Sequence, residues 1–221
     1  MCNNELKLRE LKGRFLKEHK YLEESDSCAY FGEYTVNQEK TWGYSKTNQL
    51  IVNIKKNPVT SSQAELYYKQ QAIKETGELF GHKLTSKSKL LLVPIPSSKT
   101  KDHPEYDDKI FQLCLAAKVA NPEIDVCELI LPAKHVKPFH ESPNNRMPPN
   151  ELANCYRFNA GEDFDETKYS HIVLVDDVIT SGSHFKACKS ILERNIESSS
   201  IYGLFVARAI EKEIDPSDYF D

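Results

Sequence analysis

His171-Ile172-Val173-Leu174-Val175-Asp176-Asp177-Val178-Ile179-Thr180-Ser181-Gly182-Ser183-His184 is the stretch whose reading decides the fold of this chain. It opens as an aliphatic, β-branched run with no polar alternation, the pattern of a strand buried on both faces of a parallel sheet. Two carboxylates follow where the strand should leave the sheet. Thr180, Ser181, Gly182 and Ser183 then form a small polar turn. It feeds a helix whose buried stripe is Phe185, Cys188, Ile191 and Leu192, with Lys189 and Arg194 toward its negative end. Ligands of open α/β sheets gather at the carboxyl ends of strands, where Asp176 and Asp177 would lie. A turn that opens a helix directs N–H groups and a positive dipole end at an anion. Gly182 allows close backbone approach, and the three hydroxyls add donors. The two aspartates repel phosphate but accept hydrogen bonds from sugar hydroxyls, so a phosphorylated sugar suits both halves of the stretch. A Gly-x-x-x-x-Gly-Lys-Ser/Thr loop is absent, which argues against nucleoside triphosphate hydrolysis.

The 221 residues suffice for a substantial core, read most economically as one α/β domain with an attached subdomain. A 39% hydrophobic and 28% charged composition excludes a mainly disordered chain. No apolar run reaches membrane-spanning length, and the charged first twenty residues lack a signal-peptide core. The six scattered cysteines (Cys2, Cys28, Cys114, Cys127, Cys155, Cys188) form no Cys-x-x-Cys pair and read as reduced thiols of a cytoplasmic protein. A net charge of −4 argues against general nucleic-acid binding. A homodimer is compatible with all of this.

From the start, Leu8, Leu11 and Phe15 recur at helical spacing, so the first segment is expected to be an amphipathic helix packed on its own domain. Residues 28–34 and 49–54 carry aromatic and β-branched residues and are expected to be short strands. Ser62-Gln63-Ala64-Glu65 has capping-box spacing, and Leu66, Ile73 and Phe80 continue a helix that Gly81 can end. Leu90 to Pro96 is the next buried-strand candidate, Ile110, Leu113, Cys114 and Ala117 mark a helix, and residues 126–131 a further strand. That alternation implies right-handed crossovers and a parallel sheet. Ser97, Ser98, Lys99 and Lys101 follow the strand's carboxyl end. Alone they read equally as a solvated turn, but beside the acidic pair their hydroxyls and cations suit a diphosphate. Five prolines make residues 132–150 irregular, a long loop carrying Lys134, His135, Lys137, His140 and Arg146. Residues 201–206 form a last strand, and Arg208 beyond it either reaches a ligand or pairs with an acidic neighbour. Residues 211–221 read as a solvated acidic tail.

Val173 to Gly182 resembles the PRPP-binding motif of type I phosphoribosyltransferases: a hydrophobic strand, Asp-Asp, two residues, then Thr-Thr/Ser-Gly. The resemblance implies a PRTase-like parallel-sheet core flanked by helices over residues 83–210, with residues 1–82 an N-terminal α+β hood or extra layer. It implies that Asp176 and Asp177 hold the ribose hydroxyls as the catalytic pair, and that Thr180, Ser181, Gly182, Ser183 and His184 cradle the 5′-phosphate. It further implies that Ser97, Ser98 and Lys99 face pyrophosphate. Lys137, His140 and Arg146 would come from a mobile flap, although a basic surface loop would look the same. Mg²⁺ is the implied cofactor, held chiefly by substrate oxygens, with Asp176 and Asp177 as the candidate protein ligands. The implied partners are PRPP and a base or amine of unspecified identity. More narrowly the chain is similar to the ComF-type, competence-protein-like branch, through residues 50–56, Val93-Pro94-Ile95-Pro96 and Ala207-Arg208-Ala209. It departs from that branch by lacking the N-terminal zinc cysteines and by carrying Tyr106-Asp107-Asp108-Lys109 in place of Arg-Gly-Phe-Asn-Gln. The expected activity is transfer of a phosphoribosyl group to nitrogen. A non-catalytic PRPP- or nucleotide-binding regulator or DNA-uptake accessory, or a plain flavodoxin-like sheet, are the alternatives.

Overall fold

A computed structural model describes residues 6–36, 45–85, 89–133 and 147–211. In chain order the elements are β1 (Arg9–Glu10), α1 (Arg14–Lys17), β2 (Cys28–Val36), α2 (Lys46–Ile54) and α3 (Gln63–Lys83). Then come β3 (Leu90–Pro94), α4 (Lys109–Ala120), β4 (Ile124–Val126), β5 (Ile130–Pro132), α5 (Pro149–Ala153) and β6 (Tyr156–Phe158). A short 3₁₀ turn at Glu166–Lys168 precedes β7 (His171–Ile179), α6 (Ser183–Asn195) and β8 (Ser200–Glu211). Among the described residues, six strands form one sheet in the order β1-β2-β8-β7-β3-β4, parallel except for β1, while β5 and β6 make a separate antiparallel pair. The chain is therefore an α/β protein with a mostly parallel sheet flanked by helices. No described helix is long and apolar enough to cross a membrane.

The opening stretch sits at the centre of this sheet because both its faces are apolar. Ile172 and Leu174 pack on one side with Phe185, Cys188 and Leu192 of α6, and Val173 and Val175 pack on the other with Ile51, Phe80 and Leu113. Each such side chain, fully buried, contributes about 1.5–3 kcal/mol. The two crossovers leave the middle of the sheet in opposite directions: β3–α4–β4 runs toward one edge and β7–α6–β8 toward the other. Right-handed connections then put α4 and α6 on opposite faces, as the two core clusters show. A crevice opens where such paths diverge, at the carboxyl ends of β3 and β7.

Several local expectations are corrected. The first segment is not an amphipathic helix: Arg9 and Glu10 pair with Tyr30 and Ala29 at the sheet edge, and only one helical turn follows Gly13. The apolar spacing there comes from Leu11, buried under the sheet, whereas Leu8 is exposed. Residues 49–54 belong to helix α2, not a strand. Ser45 caps it by accepting from the Asn48 N–H at 3.0 Å, and the buried Leu50, Ile51 and Ile54 fit a helical stripe as well as they fit a strand. Asn48 then bridges α2 to β2, donating to the Thr35 carbonyl at 3.2 Å. The capping box at Ser62 and Glu65 forms as its spacing indicates. Gly81 does not end α3. It lies within the helix, and a Cβ there would stand 2.5 Å from the Ala117 carbonyl oxygen of α4, so the glycine serves close helix packing. The single strand expected over 126–131 is divided between β4 and β5, which belong to different sheets.

Candidate functional site

The carboxyl ends of β3 and β7 open onto a cavity of about 660 Å³, a size suited to a small-molecule ligand. Its wall brings together Asp176 and Asp177, four residues of the following turn (Thr180, Gly182, Ser183 and His184), and Ser97, Ser98 and Lys99. Residues separated by some eighty positions in sequence thus share one crevice. Lys137, His140 and Arg146 lie outside the described residues.

Asp176 and Asp177 are strand residues rather than residues beyond the strand. β7 continues to Ile179 against β8, whereas its pairing with β3 stops at Val175. The open side beyond Val175 is what exposes the pair to the cavity. Consecutive strand residues point to opposite faces, and the carboxylates divide accordingly. Asp177 is 6% exposed and turns toward α2 and α4, where Lys109 Nζ stands 2.7 Å from Oδ2 and Lys55 Nζ 3.5 Å from Oδ1. Burial alone would raise its pKa, but the two ammonium groups outweigh burial and hold it well below the usual carboxylate range. Asp176 turns toward α6 and β6, close enough for its charge to act on Cys188 and Tyr156. Its Oδ1 accepts the Asp177 N–H at 2.8 Å. Burial, and then the charge of Asp177, push its pKa up to about 7. One carboxylate is held as an anion, and the other is biased toward its neutral form.

The turn after β7 is held by the N-terminal segment. The Tyr21 N–H donates to the Ser181 carbonyl at 2.9 Å, and Nδ1–H of the buried His19 donates to the Thr180 carbonyl. Gly182 has φ +83°, and a Cβ there would stand 2.7 Å from Leu22 Cδ2. The left-handed backbone and Leu22 both require a glycine here, whatever the cavity binds. Gly182→Ala should lower stability by about 1–3 kcal/mol in urea denaturation. Adding Leu22→Ala should return only the steric part of that loss, and full recovery would mean the backbone is not strained. The hydroxyl of Ser183 donates to the Met147 carbonyl, and Ser181 Oγ accepts the Ser183 N–H at 3.4 Å. These two serines therefore shape the turn. His184 Nδ1 meets the Tyr156 hydroxyl at 2.7 Å.

On the β3 side, Ser97 Oγ accepts the Lys99 N–H at 3.3 Å, and Lys99 Nζ lies 3.4 Å from Glu105. Lys101 pairs with Glu128 at 2.5 Å. Three residues that sequence reasoning did not select complete the site. Lys55 and Lys109 neutralise Asp177, and Lys69, 3% exposed, donates to Asp107 Oδ2 at 2.5 Å and to the Lys56 carbonyl at 2.6 Å. Lys69 fixes the 105–109 segment to α3. Lys109 did carry a signal: it is the first residue of α4, where the helix dipole disfavours a cation unless an anion faces it. Arg208 is buried, paired with Glu18 and Glu33 at 2.5 and 2.6 Å and stacked 4.3 Å over Phe15, so it pairs with acidic neighbours. No protein-family model matches the chain, and no curated protein is significantly similar to it in sequence.

Proposed function

We propose that the chain is a phosphoribosyltransferase with a PRTase-like core that binds PRPP with Mg²⁺ and transfers the phosphoribosyl group to a nitrogenous acceptor. The observation that carries this reading is the meeting, in one cavity at the sheet's switch point, of an acidic pair, a helix-opening hydroxyl turn and a Ser-Ser-Lys loop. In the reaction the C1–O bond to pyrophosphate breaks, a C1–N bond forms, and the acceptor nitrogen gives up a proton. Positive charge gathers on the ribose ring, and the acidic pair beside it supplies negative potential, chiefly through Asp176 when ionised. Amides at the start of α6 face the 5′-phosphate.

Among the described residues no group of three or more His, Cys, Asp or Glu side chains is placed to hold a metal ion. Asp177, with two ammonium groups beside it, is a poor magnesium ligand. Asp176 is the carboxylate that fits a solvated Mg²⁺, whose other ligands would be diphosphate oxygens and water. When bound, the ion offsets charge on the departing diphosphate. The described cysteines are free thiols, which suits a reducing compartment, and a cytoplasmic location belongs to this reading.

Incubation with PRPP, Mg²⁺ and a panel of bases should release pyrophosphate. Asp177→Asn should weaken calorimetric Mg-PRPP affinity at least about tenfold, the scale of a charge-assisted hydrogen bond. Unchanged affinity would count decisively against the reading. One observation favours a non-catalytic PRPP- or nucleotide-binding regulator, or a DNA-uptake accessory, instead: Asp177 is already satisfied by Lys55 and Lys109. Binding without pyrophosphate release would support that alternative.

A further inference from the structure

Each described lysine lining the cavity has a carboxylate partner, but the pairs are not alike. Lys99 joins the exposed Glu105 at 3.4 Å, and Lys55, itself exposed, stands 3.5 Å from Asp177. Such loose pairs exchange readily with water. Lys109 is different. Its side chain is 21% exposed against 9% for Asp177, and the two are 2.7 Å apart. It also begins α4, the helix into which the Ser97–Lys99 loop leads, and it lines the same cavity as Ser97 and Ser98.

Both desolvation and the helix dipole oppose a cation at this place. A neutral side chain would hold the backbone with less penalty, so a lysine here calls for an anion. Asp177 is one anion within reach. The diphosphate of a bound sugar diphosphate, lying against the Ser97–Lys99 loop, would be another, and the flexible four-carbon stem of lysine can swing between them.

We propose that Lys109 is an anion-exchanging residue of the site: it pairs with Asp177 in the structure and transfers to the diphosphate when sugar hydroxyls take over the carboxylate. The proposal rests on the phosphoribosyl reading above and adds a basis for selecting sugar diphosphates over sugar monophosphates. Ribose 5-phosphate supplies an anion for the α6 turn but no second anion for Lys109, which then stays on Asp177. The charges of Asp177 and Asp176 outweigh burial and keep Lys109 protonated, so the exchange moves a cation and no proton.

The test is calorimetric titration of the full chain with Mg-PRPP and, separately, with ribose 5-phosphate. Lys109→Gln is expected to lose about 10- to 100-fold in affinity for Mg-PRPP, the range of a hydrogen bond to a charged group. For ribose 5-phosphate it should stay within about threefold, because no contact is lost. Lys109→Arg should retain most of the preference for the diphosphate. If Lys109→Gln does not fold, the wild type decides. Its Lys109 side-chain NMR signals should move with Mg-PRPP and stay in place with ribose 5-phosphate. Equal losses for both ligands, no loss for Mg-PRPP, or signals that respond alike to both would overturn the proposal. If the wild type binds neither ligand, the phosphoribosyl reading itself fails. If it binds both and Lys109→Gln is indistinguishable from it, only the role of Lys109 falls.

Discussion

Asp26→Ala is expected to lower the stability of the chain by about 3–5 kcal/mol, the scale of breaking a buried ion pair from one side. The Asp26 side chain is 0% exposed. It accepts from Lys186 at 2.9 and 3.2 Å, from Lys189 at 2.7 Å and from the Glu23 N–H at 2.9 Å. Burial would raise its pKa, but these donors together hold it below the ordinary value. Alanine would leave two largely buried ammonium groups in α6, of which Lys186 retains the exposed Glu23 and Lys189 a 3.8 Å contact with Glu193 and the face of the Phe185 ring at 6.0 Å. The consequence reaches the cavity, because Lys186 and Lys189 stand within two turns beyond the Thr180–Ser183 turn, and Asp26 ends the segment whose Tyr21 N–H donates to Ser181. Hydrogen exchange at the Tyr21 amide should therefore accelerate with the loss of stability, while the amides of α3, on the opposite face, follow only global unfolding. Urea denaturation measures the first effect. A loss under about 1 kcal/mol would place the cluster with ordinary surface pairs. As a carboxylate with a depressed pKa, Asp26 contributes stability above the unfolded value near 4, and that contribution is lost as pH falls through the folded value.

How far such contacts were legible follows from where their partners stand in the chain. Strand β7, the turn and α6 could be read because hydrophobic run, acidic pair, glycine and helical stripe are contiguous, and local rules apply to contiguous residues. The crevice between β3 and β7 followed from alternation of strands and helices. Lys55 and Lys69 were not legible in this way, because each acts on a partner 122 or 38 positions away and a lysine on a helix reads as a solvated face. His19, Tyr21 and Leu22 were hidden for the same reason: they reach residues 160 positions on, and the sequence around them shows only charge and aromatics. The error at α2 was of another kind. Leu-Ile-Val-Asn-Ile satisfies both periods in so short a run, and what decides is Ser45, five residues before Leu50, which caps a helix.

The two adjacent aspartates should respond to pH with opposite signs, and substituting each in turn separates them. Asp176 has its folded pKa raised to about 7, first by burial and then by its neighbour's charge. Between about pH 4 and 7 the native state thus holds a proton that the unfolded chain has released. Stability must fall as pH rises through that window, and ionised Asp176 is a standing penalty above it. Asp176→Asn removes that penalty. Its Tm is expected to exceed the wild-type value by about 4–8 °C at pH 8, taking roughly 2 kcal/mol for a carboxylate partly relieved by cavity water. The difference should shrink steadily toward pH 5. Asp177 has the opposite linkage: Lys109 and Lys55 depress its pKa against burial, so its contribution is present above about pH 4 and lost on further acidification. Asp177→Asn should accordingly lower Tm at neutral pH and flatten the acid limb. A Tm deficit for Asp176→Asn at every pH would show that Asp176 is ionised without penalty, and the division of roles would fail. The same division bears on ligand recognition, since Asp176 accepts a sugar hydroxyl more strongly when deprotonated than when protonated. Affinity for a ribose-containing ligand should therefore rise between about pH 6 and 8 in the wild type and lose that rise in Asp176→Asn.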